Sequence, residues 1–168
     1  FLQRYRALPD ADPMLLAYAD GMLARVRGEF AEAILSRCRS IERYYMLDPW
    51  RHLEEWNKPS NVSDIEFSQI FEEAMQRTAF AANKRIVLRD KTRDAIKSIP
   101  NGDLDAAYID GDHTLRGITI DLLSIYEKIT PRGFLMGDDF ARSVWQHSTD
   151  CEPTLVFPMV TNGYHKNN

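Results

Sequence analysis

Short runs of β-branched and aromatic residues recur along this chain, and each is followed by a stretch whose apolar residues fall at helical spacing. After a brief apolar run at 22–26, Gly28 opens a segment with Phe30, Ala31, Ile34, Leu35 and Cys38 on one helical face. Residues 42–47 read as a second strand, stopped at Asp48-Pro49 because proline cannot extend a ladder. Ser63 is placed to cap a helix whose face is Ile65, Ile70, Phe71, Ala74, Met75 and Thr78. The unit repeats as strand 85–88 with a helix at 93–99 capped by Thr92, and as strand 105–110 with a helix marked by Leu115, Ile118, Leu122, Ile125 and Ile129. Pro131-Arg132-Gly133 predicts a turn into strand 134–136, and residues 154–157 are a candidate sixth strand. Such alternation predicts an α/β fold of the Rossmann-like, doubly wound kind, a mostly parallel sheet with helices on both faces and right-handed crossovers. The expected organisation is one domain over 1–168, with a leading helical segment at 1–20 and the core at 21–160.

Composition narrows the partners. The 168 residues are 44% hydrophobic and 27% charged, enough apolar material for a core. Lys and Arg number 21 against 25 Asp and Glu, a net charge of −4, so neither nucleic acid nor an anionic membrane is an expected partner. No apolar run approaches the roughly 18–20 residues of a membrane span. Cys38 and Cys151 lack neighbours at zinc spacing, which fits a cytoplasmic location. The first residue is Phe1, not Met, so incomplete termini are expected.

The acids sit where chemistry would be. Asp48, Asp90, Asp110, Asp112, Asp138 and Asp139 all fall at or just past a predicted strand end, the rim where open α/β sheets bind ligands. Each also reads as a turn or cap residue. If the strands ending in Ile109-Asp110-Gly111-Asp112-His113 and Gly137-Asp138-Asp139 are neighbours, their carboxylates crowd and call for a cation. Oxygen ligands suit Mg²⁺, or Mn²⁺. His113 reads as a base, a hydrogen-bond donor or a packed turn residue. The turn Val26-Arg27-Gly28-Glu29 is a weak nucleoside loop, but Asp48 follows Gly28 at about the 20-residue separation at which an acid accepts ribose hydroxyl bonds.

The stretch from Leu104-Asp105-Ala106-Ala107-Tyr108-Ile109-Asp110-Gly111-Asp112-His113 through Gly137-Asp138-Asp139-Phe140 resembles the class I S-adenosylmethionine-dependent methyltransferases. It is most similar to the branch of macrocin-type and aminocoumarin-sugar O-methyltransferases, over about residues 20–145. The resemblance implies S-adenosylmethionine as methyl donor, with Val26, Arg27, Gly28, Asp48, Asp90 and Asp110 around it. Asp48 falls on the ribose acid and Asp90 near the adenine. It implies Mg²⁺ on Asp110, Asp138 and Asp139, with Asp112 as general base beside His113. Two departures stand out. Met22-Leu23-Ala24 replaces the family's acid, hydrophobic residue and glycine, and little sequence after Val160 remains for the family's closing antiparallel strand pair.

The expected reaction is methyl transfer to a hydroxyl of a small molecule, a sugar or a natural-product intermediate, with self-association left open. The rival readings are a metal-dependent α/β hydrolase on the same carboxylates and a degenerate domain that binds without catalysis. The polar loop 50–61, with Trp50, Trp56 and Lys58, is expected to be exposed and mobile, either closing over the cofactor or lining the acceptor site, or else serving as a solvated connection with Trp packed below.

Overall fold

A computed structural model describes residues 27–56, 60–112, 114–137 and 164–165. The expected leading segment 1–20, the first strand at 22–26 and the sixth at 154–157 lie outside these residues. The chain divides into two compact units, Phe1–Lys91 and Thr92–Asn168.

In the first unit, α1 (Glu29–Arg37) is followed by β1 (Tyr44–Leu47), α2 (Asp64–Arg77) and β2 (Arg85–Leu88). β1 and β2 pair in parallel, Tyr44 with Arg85 through Leu47 with Leu88. The Asp48 amide continues the ladder to the Leu88 carbonyl at 3.2 Å. α2 starts where the sequence says it should. The Ser63 hydroxyl accepts from the Glu66 amide at 3.3 Å and the Glu66 carboxylate accepts from the Ser63 amide at 3.1 Å, a complete capping box. Its far end is held by Arg85, whose Nη1 donates to the Met75 carbonyl at 2.8 Å and to the Thr78 hydroxyl at 2.5 Å. A cation at a helix C-terminus satisfies orphan carbonyls and opposes the dipole.

The core of this unit is Ala31, Met46, Trp50, Val62, Phe67, Ile70 and Ala74. Helical spacing misplaces three residues of this unit, Ile65, Phe30 and Cys38. Ile65 is 75% exposed and Phe30 41% exposed, because α2 turns Phe67, Ile70 and Ala74 inward and α1 turns Ala31 and Leu35. Cys38 is the C-cap of α1 and is exposed.

The second unit holds α3 (Thr92–Ala95), a short 3₁₀ turn at Ile96–Ser98, β3 (Leu104–Ile109), α4 (Leu115–Tyr126), β4 (Ile129–Gly137) and β5 (Tyr164–His165). Thr92 lies inside the helix rather than before it. β3 and β4 are parallel, with Ala106 level with Phe134 and Ile109 with Gly137. Ile129 begins β4 instead of ending the helix, and it is 1% exposed. The expected turn at 131–133 is an irregularity within β4: the register shifts between Leu104 and Ala106, and Arg132 takes φ 71°. β5 pairs antiparallel with Phe134 and Leu135, so a two-residue edge does form after Val160. Ile109, Ile118 and Leu135 make the core of this unit.

The described strands thus form two hydrogen-bonded sheets, β1-β2 and β3-β4-β5, each containing a parallel pair. The mixed helix and strand content is that of an α/β protein.

Candidate functional site

Gly28 is the N-cap of α1 and has φ 85°, a left-handed conformation that side chains disfavour. A Cβ built there would stand 3.0 Å from the Ala74 Cα. The residue is therefore glycine for two local reasons, turn conformation and close approach to α2, independent of any ligand. Arg27 lies beside it with Nε 3.7 Å from Glu73 Oε2. α1 and α2 are further tied by Arg77, whose guanidinium reaches Glu32 at 3.1 Å, Glu29 at 3.3 Å and Glu73 at 3.0 Å. These carboxylates, the Glu73 hydrogen bond foremost, push the Arg77 pKa above its ordinary value. Val26 lies outside the described residues.

Asp48 and Asp90 share one rim. Each lies just past the carboxyl end of its strand, and β1 and β2 are adjacent and parallel. Asp48 Oδ1 accepts from the Trp50 amide at 2.7 Å, an Asx turn that fixes the carboxylate. Asp90 Oδ1 accepts from the Lys91 amide at 2.8 Å and from Arg51 Nη2 at 3.3 Å.

The loop that follows Asp48 is pinned, contrary to the expectation of mobility. Trp50 is 2% exposed and Leu53 4%. Asn61 clasps the loop with its side chain: Oδ1 accepts from the Leu53 amide at 3.0 Å, and Nδ2 donates to the Leu53 and Trp56 carbonyls at 2.7 Å each. The His52 amide donates to Asp64 Oδ1 at 2.8 Å. Lys91 pairs with Glu55, whose pKa is lowered chiefly by that hydrogen bond. Satisfied backbone groups pin the loop in place of the mobility that its polar composition implied, while the buried Trp50 matches the alternative of a connection with Trp packed below. Lys58 lies outside the described residues.

In the second unit, Asp110 follows β3 and is exposed. Asp112 serves the helix start: Oδ1 accepts from the Thr114 amide at 3.1 Å and Oδ2 from the Thr114 hydroxyl at 3.0 Å. Thr114 in turn caps α4 by accepting from the Gly117 amide at 3.0 Å. A Cβ on Gly117 would lie 2.5 Å from the Asp112 Cγ, so this helix position is glycine to admit the Asp112 side chain. His113, Asp138 and Asp139 lie outside the described residues. Among the described residues no group of three or more His, Cys, Asp or Glu is placed to hold a metal ion.

Sequence reading missed Asp121. It is 7% exposed on α4, and its Oδ2 lies 2.7 Å from the position of a Cβ on Gly111. A carboxylate thus packs directly beneath the Asp110-Gly111-Asp112 turn. The signal was present: Asp121 is spaced i+3 from Ile118 and i−4 from Ile125, an acid interrupting the apolar stripe.

Acids set just past the ends of parallel strands, within an α/β chain, are the layout of a ligand-binding enzyme domain. The chain belongs to the methyltransferase domain family, whose model matches residues 26–140. No curated protein matches it. The matched stretch begins one residue before Arg27 and ends one residue after Asp139, so it takes in every candidate site residue. No helix among the described residues is long and apolar enough to cross a membrane.

Proposed function

We propose that this chain is a class I, doubly wound methyltransferase that uses S-adenosylmethionine to methylate a hydroxyl of a small molecule, with help from a divalent cation. The family match is the observation that carries this reading. The rim of β1 and β2 supports the donor assignment. Asp48, with its carboxylate fixed by the Trp50 amide, holds the ribose hydroxyls, and Asp90 lies toward the adenine. A carboxylate fits that task because it has about four acceptor positions. Gly28 shapes the turn before α1 beside Val26 and Arg27.

The register of β3 and β4 supports the cation assignment. Ile109 is level with Gly137, and the next residues in sequence are Asp110 and Asp138, followed by Asp139. Those oxygen donors suit Mg²⁺ or Mn²⁺. A bound cation would grip the acceptor oxygen and lower its pKa. Asp112, or His113 next to it, then takes the hydroxyl proton, while the chain holds the oxygen in line with the sulfonium methyl. A sugar or natural-product intermediate with vicinal hydroxyls is the acceptor class this set of donors fits, and the −4 net charge argues for a small molecule over a polyanion.

Calorimetric titration with S-adenosylhomocysteine, with and without Mg²⁺, tests the reading. Saturable binding is expected, and Asp48→Ala should weaken it roughly ten- to a hundredfold, the effect of losing charge-assisted hydrogen bonds. Unchanged affinity in Asp48→Ala would remove the ribose assignment.

A further inference from the structure

Trp50 carries a side chain yet takes φ 41°, in the left-handed region that such residues rarely enter. Its amide is the group that fixes Asp48 Oδ1, at 2.7 Å. Besides its burial in the core, Trp50 is held from the neighbouring strand. Arg89, the residue after β2, donates from Nη2 to the Trp50 carbonyl at 2.9 Å. The same guanidinium lies over the Phe71 ring, 4.7 Å from its centroid, and Phe71 packs edge-on to the Trp50 indole at 5.2 Å. One planar cation therefore grips the backbone of Trp50 and the ring that Trp50 leans on. Its donors and its flat face act together, which a lysine ammonium cannot reproduce.

From this chain of contacts we infer that Arg89 is a positioning residue for the methyl-donor site: it locks Trp50 in its left-handed conformation, and through Trp50 it aims the Asp48 carboxylate. Arg89 itself needs no contact with the ligand. The inference rests on the proposed ribose role of Asp48, and predicts that Arg89 and Asp48 act as one unit in binding.

The experiment is a double-mutant cycle read by calorimetry with S-adenosylhomocysteine, using Arg89→Met, Asp48→Asn and the double variant. Arg89 is exposed, so Arg89→Met should fold, and its melting curve checks this. Arg89→Lys provides a second variant that keeps the charge and loses the stacked fork. Each Arg89 variant is expected to lose about tenfold in affinity, the scale of one hydrogen bond to a charged group. The double variant should bind no more weakly than Asp48→Asn alone. An analogue of S-adenosylhomocysteine without ribose hydroxyls should bind the parent and Arg89→Met equally. If both Arg89 variants bind like the parent, if the losses multiply, or if the analogue is weakened as much as the natural ligand, Arg89 does not act through Asp48 and only this inference falls. A parent that binds no S-adenosylhomocysteine, or an Asp48→Asn variant with parental affinity, overturns both the inference and the donor-site reading beneath it.

Discussion

Single residues in this chain often answer to a local demand before any chemical one, and the two can be separated by choosing the right substitution. Gly28 meets a conformational demand and a spatial one at once. Forcing an L-residue into the left-handed region costs about 1–2 kcal/mol, and the 3.0 Å approach to Ala74 adds a backbone clash. Gly28→Ala is therefore expected to lose at least about 1–2 kcal/mol in urea denaturation, with no ligand present. Asp112 poses the opposite problem, since a helix cap and a general base are both carboxylates. Asn keeps an oxygen for the Thr114 amide but cannot take a proton. Asp112→Asn should retain the parental melting temperature while turnover falls by about 10²–10⁴-fold, whereas Asp112→Ala should lose stability as well. Equal loss of turnover and stability in Asp112→Asn would leave the cap as the whole role of this residue. The acids at the strand ends were legible in the sequence because strands and turn residues mark where a strand stops. Asp121 was not, because an acid at helical spacing is read as solvent-facing unless the stripe it interrupts is weighed first.

At the scale of elements, α2 was the most legible, since its start is written in consecutive residues. Ser63 and Glu66 close a capping box that needs no tertiary partner. The Ser63 hydroxyl, and then the Ser63 amide, lower the Glu66 pKa below the ordinary glutamate range. A carboxylate whose folded pKa is depressed contributes stability above its unfolded pKa and loses it as pH falls through the folded value. The stability gap between the parent and Glu66→Gln should thus be present at neutral pH and close below the ordinary glutamate range, when measured by denaturation across an acid series. Ser63→Ala removes both the acceptor for the Glu66 amide and the hydroxyl donor to the Glu66 carboxylate, so of its cost of about 1 kcal/mol the acceptor part should persist in acid and the donor part should fade as Glu66 is protonated. Periodicity named which stretches are helical better than it named their inner faces. Ile65 and Phe30 fit the pattern, yet the neighbouring Phe67 and Ala31 are buried, a choice made by packing against β1. β4 was read as a turn plus a strand because Pro131 and Gly133 break any simple pattern. The parallel ladder absorbs that break as a shift of register.

For the whole molecule, alternation of strands and helices gave the α/β class, and two parallel pairs fulfil it. A doubly wound sheet, the finer expectation, would depend on long-range packing that no local pattern encodes. The proposed cation draws on residues that follow β3 and β4 in the sequence and would bind only the folded chain. Ligands of that kind raise the melting temperature. Millimolar Mg²⁺ or Mn²⁺ should raise it and EDTA reverse the gain, with Asp110→Asn insensitive to both. A parent indifferent to metal and chelator would assign the acids to capping alone. The β1-β2 ladder joins strands about 40 residues apart in the chain, with all of α2 in the span between them. Closing so long a loop is entropically unfavourable until the helix inside it has shortened the search. Capped by its own residues, α2 can form in under a microsecond and wait for the strands. The expected slow step in folding this unit is then the meeting of Tyr44–Leu47 with Arg85–Leu88, and a chain whose synthesis has not yet reached Arg85 still lacks the strand on which β1 is laddered.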